Sequence, residues 1–331
     1  RGPRGTAVTG LPWRAVVDRV RSAGRTIRIP TASRNAGMEP ILDEATLRQV
    51  MRIRLETGRS FTAWLAGEHV GRRKMQALEF EDYRGYVPGD DFRLIDWNSY
   101  ARLGELFVKT SLTDETVSVF LLVDCSKSMD WGTPNKLRYA ERLAGALGAL
   151  ALMHGDRVQV VGLGNGQALS GTPLHGPGDL TALSANLEAL PVFGDTDLHG
   201  GIAAFQQTAE PHGVVVLLSD LLVSLEQIET LDFLELEGRT LVVIHIVDPN
   251  EAVPNLQGAV ELRDSETGAV TRLSISAAVR GQYIRQFEER TRAIQERLAT
   301  GDVRYVFAST AIPPIEFVAN GLRREGLVSQ A

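Results

Sequence analysis

One short stretch of this chain could hold a hard cation. In Val117-Ser-Val-Phe-Leu-Leu-Val-Asp124-Cys-Ser126-Lys-Ser128-Met129 an apolar run reaches an aspartate, and two hydroxyls follow at alternate positions. A carboxylate and two hydroxyls are hard ligands, suited to Mg²⁺ and unsuited to a soft metal. Each also has a plainer use, Asp124 as the cap of a turn and Ser126 as a partner for backbone. Two later stretches offer similar oxygens. Gly194-Asp-Thr196-Asp-Leu-His-Gly-Gly201 places Thr196 just ahead of a helix, and Val214-Val-Val-Leu-Leu-Ser219-Asp220 ends in a hydroxyl and an aspartate.

A second acidic group is Asp90, Asp91 and Asp96, within Arg84-Gly-Tyr86-Val-Pro88-Gly89-Asp90-Asp91-Phe-Arg93-Leu-Ile95-Asp96-Trp97-Asn-Ser-Tyr-Ala101-Arg102. Pro-Gly-Asp is turn chemistry. The favoured reading is a hydrogen-bonded knot in which Arg93 and Arg102 clamp the carboxylates. A second metal site is the sharper alternative, disfavoured because two nearby arginines would compete with a cation for the same oxygens.

These oxygens must be positioned by buried strands. The run before Asp124 has no turn residue, as expected of a central strand in a parallel sheet, and ligands bind at the carboxyl edge of such sheets. Downstream, strands and helices alternate. Helices are expected over Lys136 to His154, Leu180 to Leu190, Leu198 to Thr208, Leu225 to Leu236, Ser276 to Thr300 and Ile315 to Glu325. Strands are expected over Asp156 to Gly162, Val214 to Asp220, Thr240 to Asp248 and Val303 to Phe307, with a β-ribbon over 260–273. That alternation predicts an α/β fold with a doubly wound, mostly parallel sheet flanked by helices. Gly162-Leu-Gly164-Asn-Gly166 follows a strand, but its glycine spacing is wrong for a dinucleotide loop. Cys125 reads as a small buried hydrophobe, His199 as a capping or packing residue, and Asp195 and Asp197 as solvated.

The bulk properties narrow the partners. The 331 residues carry a net charge of −6, spread unevenly: residues 1–40 hold eight arginines and two acids, about +6, leaving about −12 elsewhere. An acidic body disfavours nucleic acid as a main partner. Within the arm, Pro12 to Ala23 is expected to be a short helix with Trp13, Val16, Val17 and Val20 on one face. Its arginines suit a solvated arm or, as the less favoured reading, an acidic partner or an anionic membrane surface. A further helix is expected over Ile41 to Thr57, stopped by Gly58. No apolar run approaches the roughly 18 residues of a membrane span. One cysteine excludes an internal disulfide framework, and with no signal-peptide pattern the expected location is the cytoplasm.

Together, Asp124, Ser126, Ser128, Thr196 and Asp220 resemble the metal-ion-dependent adhesion site of von Willebrand factor A-type domains, in order and in their places on strands and loops. Upstream, Tyr86-x-Pro88-Gly89-Asp90-Asp91-x-Arg93-x-Ile95-Asp96-Trp97, then Ala101-Arg102 and Val108-Lys109, resembles the signature of the domain of unknown function 58 family. That resemblance implies an extension over 41–115 ahead of a von Willebrand factor A-like domain over 116–331, with residues 1–40 a separate basic arm. It implies Mg²⁺ (with Mn²⁺ or Ca²⁺ as alternatives) held by those five residues, and an open coordination position for a carboxylate on a client protein. It also implies a MoxR-type AAA+ ATPase as partner and an adaptor role without catalysis. The competing expectations are a metal-dependent hydrolase built on Asp90, Asp91 and Asp96, and a scaffold whose metal site stays empty.

Overall fold

In the computed structural model the described residues are 15–22, 25–28, 40–57, 83–86, 105–109, 116–232, 234, 239–264, 270–299 and 303–321. In chain order the elements begin with β1 (Ala15–Ser22), β2 (Arg25–Arg28), α1 (Glu44–Thr57), β3 (Tyr83–Gly85) and β4 (Phe107–Lys109). The doubly wound region follows with β5 (Ser118–Asp124), α2 (Lys136–His154), β6 (Arg157–Gly164), β7 (Gln167–Ser170), β8 (Leu174–His175), α3 (Leu180–Glu188) and α4 (Leu198–Gln206). It continues through β9 (Val214–Ser219), α5 (Leu225–Glu229), β10 (Thr240–Val247) and α6 (Pro249–Ala252). A hairpin of β11 (Gly258–Asp264) and β12 (Val270–Ile275) leads to α7 (Ala277–Leu298), β13 (Arg304–Ser309) and a short α8 (Pro314–Glu316).

The main sheet has the order β13-β10-β9-β5-β6-β7, with β8 also paired to β6. Its β13-β10-β9-β5-β6 pairs are parallel and the β7 and β8 pairs antiparallel, so the expected α/β class is observed. Chain order reverses between β5 and β9: from β5 the chain first moves out to β6, then returns to place β9 on the other side. A crevice opens at such a reversal, at the carboxyl ends of the strands.

Strand β5 is buried from Val119 to Asp124 because both its faces are covered. Val119, Leu121 and Val123 face α2 and its neighbours, while Phe120 and Leu122 pack with Ile202 and Phe205 on the opposite side. The period of two in side-chain direction thus feeds two cores from one strand. Helix α2 starts where Asn135 accepts a hydrogen bond from the Arg138 N–H (3.0 Å) and stops at Gly155, whose φ of 90° is left-handed.

Three of the expected helices are corrected. Within the helix expected at Pro12 to Ala23, the described residues 15–22 form a strand, β1, paired antiparallel with β2 and with β11, giving a four-stranded sheet β12-β11-β1-β2. The valines that made a helical stripe are equally good strand residues, and pairing with a distant hairpin decided between them. The Gly162–Gly166 stretch is the end of β6 and a tight turn into the unforeseen β7, with Asn165 (φ 50°) and Gly166 (φ 69°) as its two central residues. Asn-Gly is the preferred pair for such hairpin turns. Within the helix expected at Leu225 to Leu236 the described residues form α5, a turn at 230–231 and further helical residues at 232 and 234; within Ile315 to Glu325 they form α8 and a π-helix over Phe317–Gly321, the rest lying outside the described residues. The proposed Arg93–Arg102 knot and the Asp90, Asp91, Asp96 cluster lie outside the described residues. Strands β3 and β4 pair at the base of that segment, and Tyr86 donates to the Leu106 carbonyl.

Between α2 and β6, Asp156 accepts from the Val117 N–H at 3.3 Å, and its other carboxyl oxygen has no partner among the described residues. Burial pushes its carboxyl up to about 6, against a smaller opposing pull from that hydrogen bond. A carboxyl raised in the folded state destabilises the protein while charged; the penalty is complete above about pH 6 and fades as pH falls towards the unfolded value near 4. Asp156→Asn is therefore expected to add about 2 kcal/mol of stability at pH 7.5, after discounting for partial solvent access. Urea unfolding at pH 7.5 and at pH 4 checks this, since the gain must vanish at the lower pH.

Candidate metal centre

The crevice between β5 and β9 gathers four of the five expected residues, three of them in direct hydrogen-bond contact. Asp124, at the carboxyl end of β5, accepts from the Ser126 N–H through Oδ1 (3.0 Å) and from the Ser219 hydroxyl through Oδ2 (2.6 Å). The Ser126 and Ser128 hydroxyls meet at 3.0 Å. Asp220 follows β9 directly, and its Oδ1 accepts from the Leu222 N–H at 3.2 Å. Asp124, Ser126, Ser128 and Asp220 are each at most 2% exposed. The loop is fixed because Met129 donates to the Ser126 carbonyl and Leu137 to the Met129 carbonyl, folding the chain back into α2.

Thr196 arrives on a separate loop and is buried. The Phe193 N–H donates to the Cys125 carbonyl at 2.7 Å, which ties this loop to the end of β5. Phe193 fits because residue 164 is glycine: a Cβ there would lie 2.3 Å from the Phe193 ring. Asp195 accepts from the Thr196 N–H, and Asp197 caps α4 through the Gly200 N–H at 2.9 Å. His199 is exposed. Cys125 is fully buried, with its thiol donating to the Val123 carbonyl, as a small hydrophobe would be placed.

Two residues of the site went unforeseen. Lys136, the first residue of α2, is fully buried, and its Nζ donates to Asp220 Oδ2 at 2.7 Å and to Glu251. Glu251 belongs to α6, where it forms a capping box with Asp248. A lysine in the first turn of a helix faces the positive end of the macrodipole, which is unfavourable unless a carboxylate answers it. That misplaced charge was the available signal.

The electrostatics of the two aspartates diverge. Burial and then the neighbouring Asp220 charge push the Asp124 carboxyl up, outweighing its hydrogen bonds. Burial pushes Asp220 up as well, but the Lys136 ammonium wins and holds it below the usual carboxylate range. On Lys136 burial alone would favour the neutral amine, and the two carboxylates reverse that. Formal charges are −3 from Asp124, Asp220 and Glu251 and +1 from Lys136. A divalent cation would neutralise the remaining −2. The donor set of carboxylates and hydroxyls with that net charge fits a hard divalent cation such as Mg²⁺.

A model of the family described as "Protein of unknown function DUF58" matches residues 82–293. The uncharacterized protein Rv1480 of Mycobacterium tuberculosis (strain ATCC 25618 / H37Rv) is 28% identical over 252 residues, covering 74% of this chain and 78% of that protein. Mb1516 of Mycobacterium bovis (strain ATCC BAA-935 / AF2122/97), also described as uncharacterized, matches to the same extent. Among solved structures, BatB from Bacteroides thetaiotaomicron aligns with a TM-score of 0.37 at 15% identity, covering 63% of this chain and 98% of that one. A von Willebrand factor type A structure from Catenulispora acidiphila aligns with a TM-score of 0.30 at 16% identity, covering 64% of this chain and 42% of that one.

Proposed function

The chain belongs to the DUF58 family of proteins of unknown function, whose model spans 212 of its 331 residues, and from that premise we propose a non-catalytic protein-interaction module. The observation that carries this is the buried pair Asp124 and Asp220 at the carboxyl edge of β5 and β9, beside the buried Ser126 and Ser128 hydroxyls that meet at 3.0 Å. In this reading Asp124, Ser126, Ser128, Thr196 and Asp220 hold Mg²⁺, with Mn²⁺ or Ca²⁺ as substitutes. A bound cation of this kind supplies an open coordination position for a carboxylate on a client protein. The chain's own residues do the rest. The Ser219 hydroxyl and the Ser126 N–H orient Asp124, and the Leu222 N–H orients Asp220.

The donor set favours binding over turnover. A hydrolytic site needs a base within hydrogen-bond reach of its water. Among the described residues, His199 is exposed, and His245 is buried with its Nδ1 bonded to the Tyr305 hydroxyl at 2.7 Å. Burial pushes His245 down to about 4, so it is neutral at physiological pH. The natural partner class is a MoxR-type AAA+ ATPase, supported by the segment from Tyr86 to Lys109, with this chain as its adaptor or client-presenting subunit. Among the described residues no helix is long and apolar enough to cross a membrane.

The test is affinity capture of the MoxR-type ATPase from the same genome, and of its clients, on immobilised full-length chain. Retention in Mg²⁺ is expected to fall at least tenfold in EDTA and equally with Asp124→Ala. Equal retention under all three conditions would sink the metal-bridged reading.

A further inference from the structure

Lys136 is expensive to place where it stands. Its side chain is fully buried, its ammonium sits at the positive end of a 19-residue helix, and both circumstances favour a neutral amine. It stays charged because Asp220 and Glu251 hold it from two sides, with the Trp131 ring 5.8 Å away. Glu251 is itself anchored, since its second oxygen accepts from the Asp248 N–H at 3.2 Å. Asp248 is in turn fully buried and accepts from Thr133 and Asn250. Asp220 Oδ2 is thus fixed through Lys136 to α6, and Oδ1 is fixed by the Leu222 N–H. None of these contacts needs a metal.

We propose that Lys136 is a resident cation of the site: it holds Asp220 in place without metal, and its charge limits how tightly a divalent cation binds. The second half rests on the metal reading above, while the first stands without it. With Lys136 and Glu251 both charged, the site presents −2 to an incoming cation. Remove the lysine charge and it presents −3; remove the glutamate charge and it presents −1. At these separations one unit of charge alters divalent binding by on the order of tenfold or more, even at an effective dielectric constant near 20. Lys136 is a positioning residue here, acting on the cation through Asp220.

The experiment is thermal unfolding of the full chain in EDTA and over a Mg²⁺ titration, with calorimetric Mg²⁺ binding, for wild type, Lys136→Met, Glu251→Gln and the double variant. The wild type is expected to remain folded in EDTA. Lys136→Met is expected to melt roughly 6–20 °C lower in EDTA, because two buried carboxylates lose their partner, and to gain more from Mg²⁺ than the wild type gains. The double variant, back at −2, is expected to recover much of the loss in EDTA. Lys136→Met melting with the wild type in EDTA, or responding to Mg²⁺ no more than the wild type, overturns the inference. If Lys136→Met yields no folded protein, Glu251→Gln decides: Mg²⁺ affinity about tenfold weaker supports the inference, and unchanged affinity overturns it. A wild type blind to Mg²⁺ beside a responsive Lys136→Met supports the resident cation and overturns the metal-bridged function. A responsive wild type with an equally responsive Lys136→Met does the reverse.

Discussion

Replacing Asp220 by asparagine is expected to remove about 3–5 kcal/mol of stability in EDTA, whereas replacing Asp124 by asparagine adds about 1 kcal/mol. The two residues are equivalent in a simple ligand list and opposite in their surroundings. Asp220 neutralises Lys136 at 2.7 Å inside the protein. Its loss leaves a buried ammonium dependent on Glu251 alone, the kind of half-broken pair that costs several kcal/mol. Among the described residues Asp124 has no cation in contact, and burial first and the charge of Asp220 second disfavour its ionised form. Neutralising it relieves that repulsion, offset in part by weaker acceptance from Ser126 and Ser219. Urea denaturation at pH 7.5 in EDTA measures both. Destabilisation of equal size at the two positions would show that Lys136 does not distinguish them.

Phe205→Ala is expected to cost about 3–5 kcal/mol and, through the loop that carries Thr196, to weaken Mg²⁺ binding as well. Phe205 is fully buried near the end of α4. Its ring meets Phe120 of β5 edge-on, with centroids 5.2 Å apart and planes at 74°, and the Arg239 guanidinium lies 5.3 Å from its centroid. Arg239 also donates to the Glu210 carbonyl at 2.7 Å, so one aromatic side chain helps join β5, α4 and the turn after it. Helix α4 begins two residues after Thr196, capped by Asp197. A cavity at its far end allows the helix to shift and Thr196 with it. Calorimetric Mg²⁺ titration alongside the unfolding curve tests this. A stability loss with unchanged Mg²⁺ affinity would remove Thr196 from the proposed site.

The parts of this molecule that declared themselves in sequence are those set by local pattern. Strands β5, β9 and β10 are near-continuous apolar runs because both their faces are covered, and α2 runs over the full expected span from Lys136 to His154. The contact of Asp124 with Ser126 and Ser219 follows from two aspartates at the ends of adjacent strands. What stayed hidden depends on distance along the chain. Lys136 and Glu251 are 115 residues apart, and nothing near Glu251 marks it as a partner for the site. The strand at Ala15–Ser22 has apolar positions compatible with either period, and its fate is decided by β11, more than 230 residues later. The β6–β7 hairpin is a different failure. Its Asn165-Gly166 pair carries the hairpin-turn signal, inside a glycine pattern that also resembles a loop after a strand.

The pairing of β1 with β11 also has a consequence for how this protein is made. A ribosome adds roughly 5–20 residues each second, so about 10–50 s separate synthesis of Ser22 from that of Gly258. During that interval β1 can pair with its hairpin partner β2 but not with the strand that completes its other edge. Strands β5 to β10 of the doubly wound sheet are all supplied within the same interval and can pair, while its edge strand β13 comes only after the β11–β12 hairpin. The second sheet therefore waits until most of the main sheet has been supplied, and the open edge of β1 is the surface that a nascent-chain chaperone would have reason to cover.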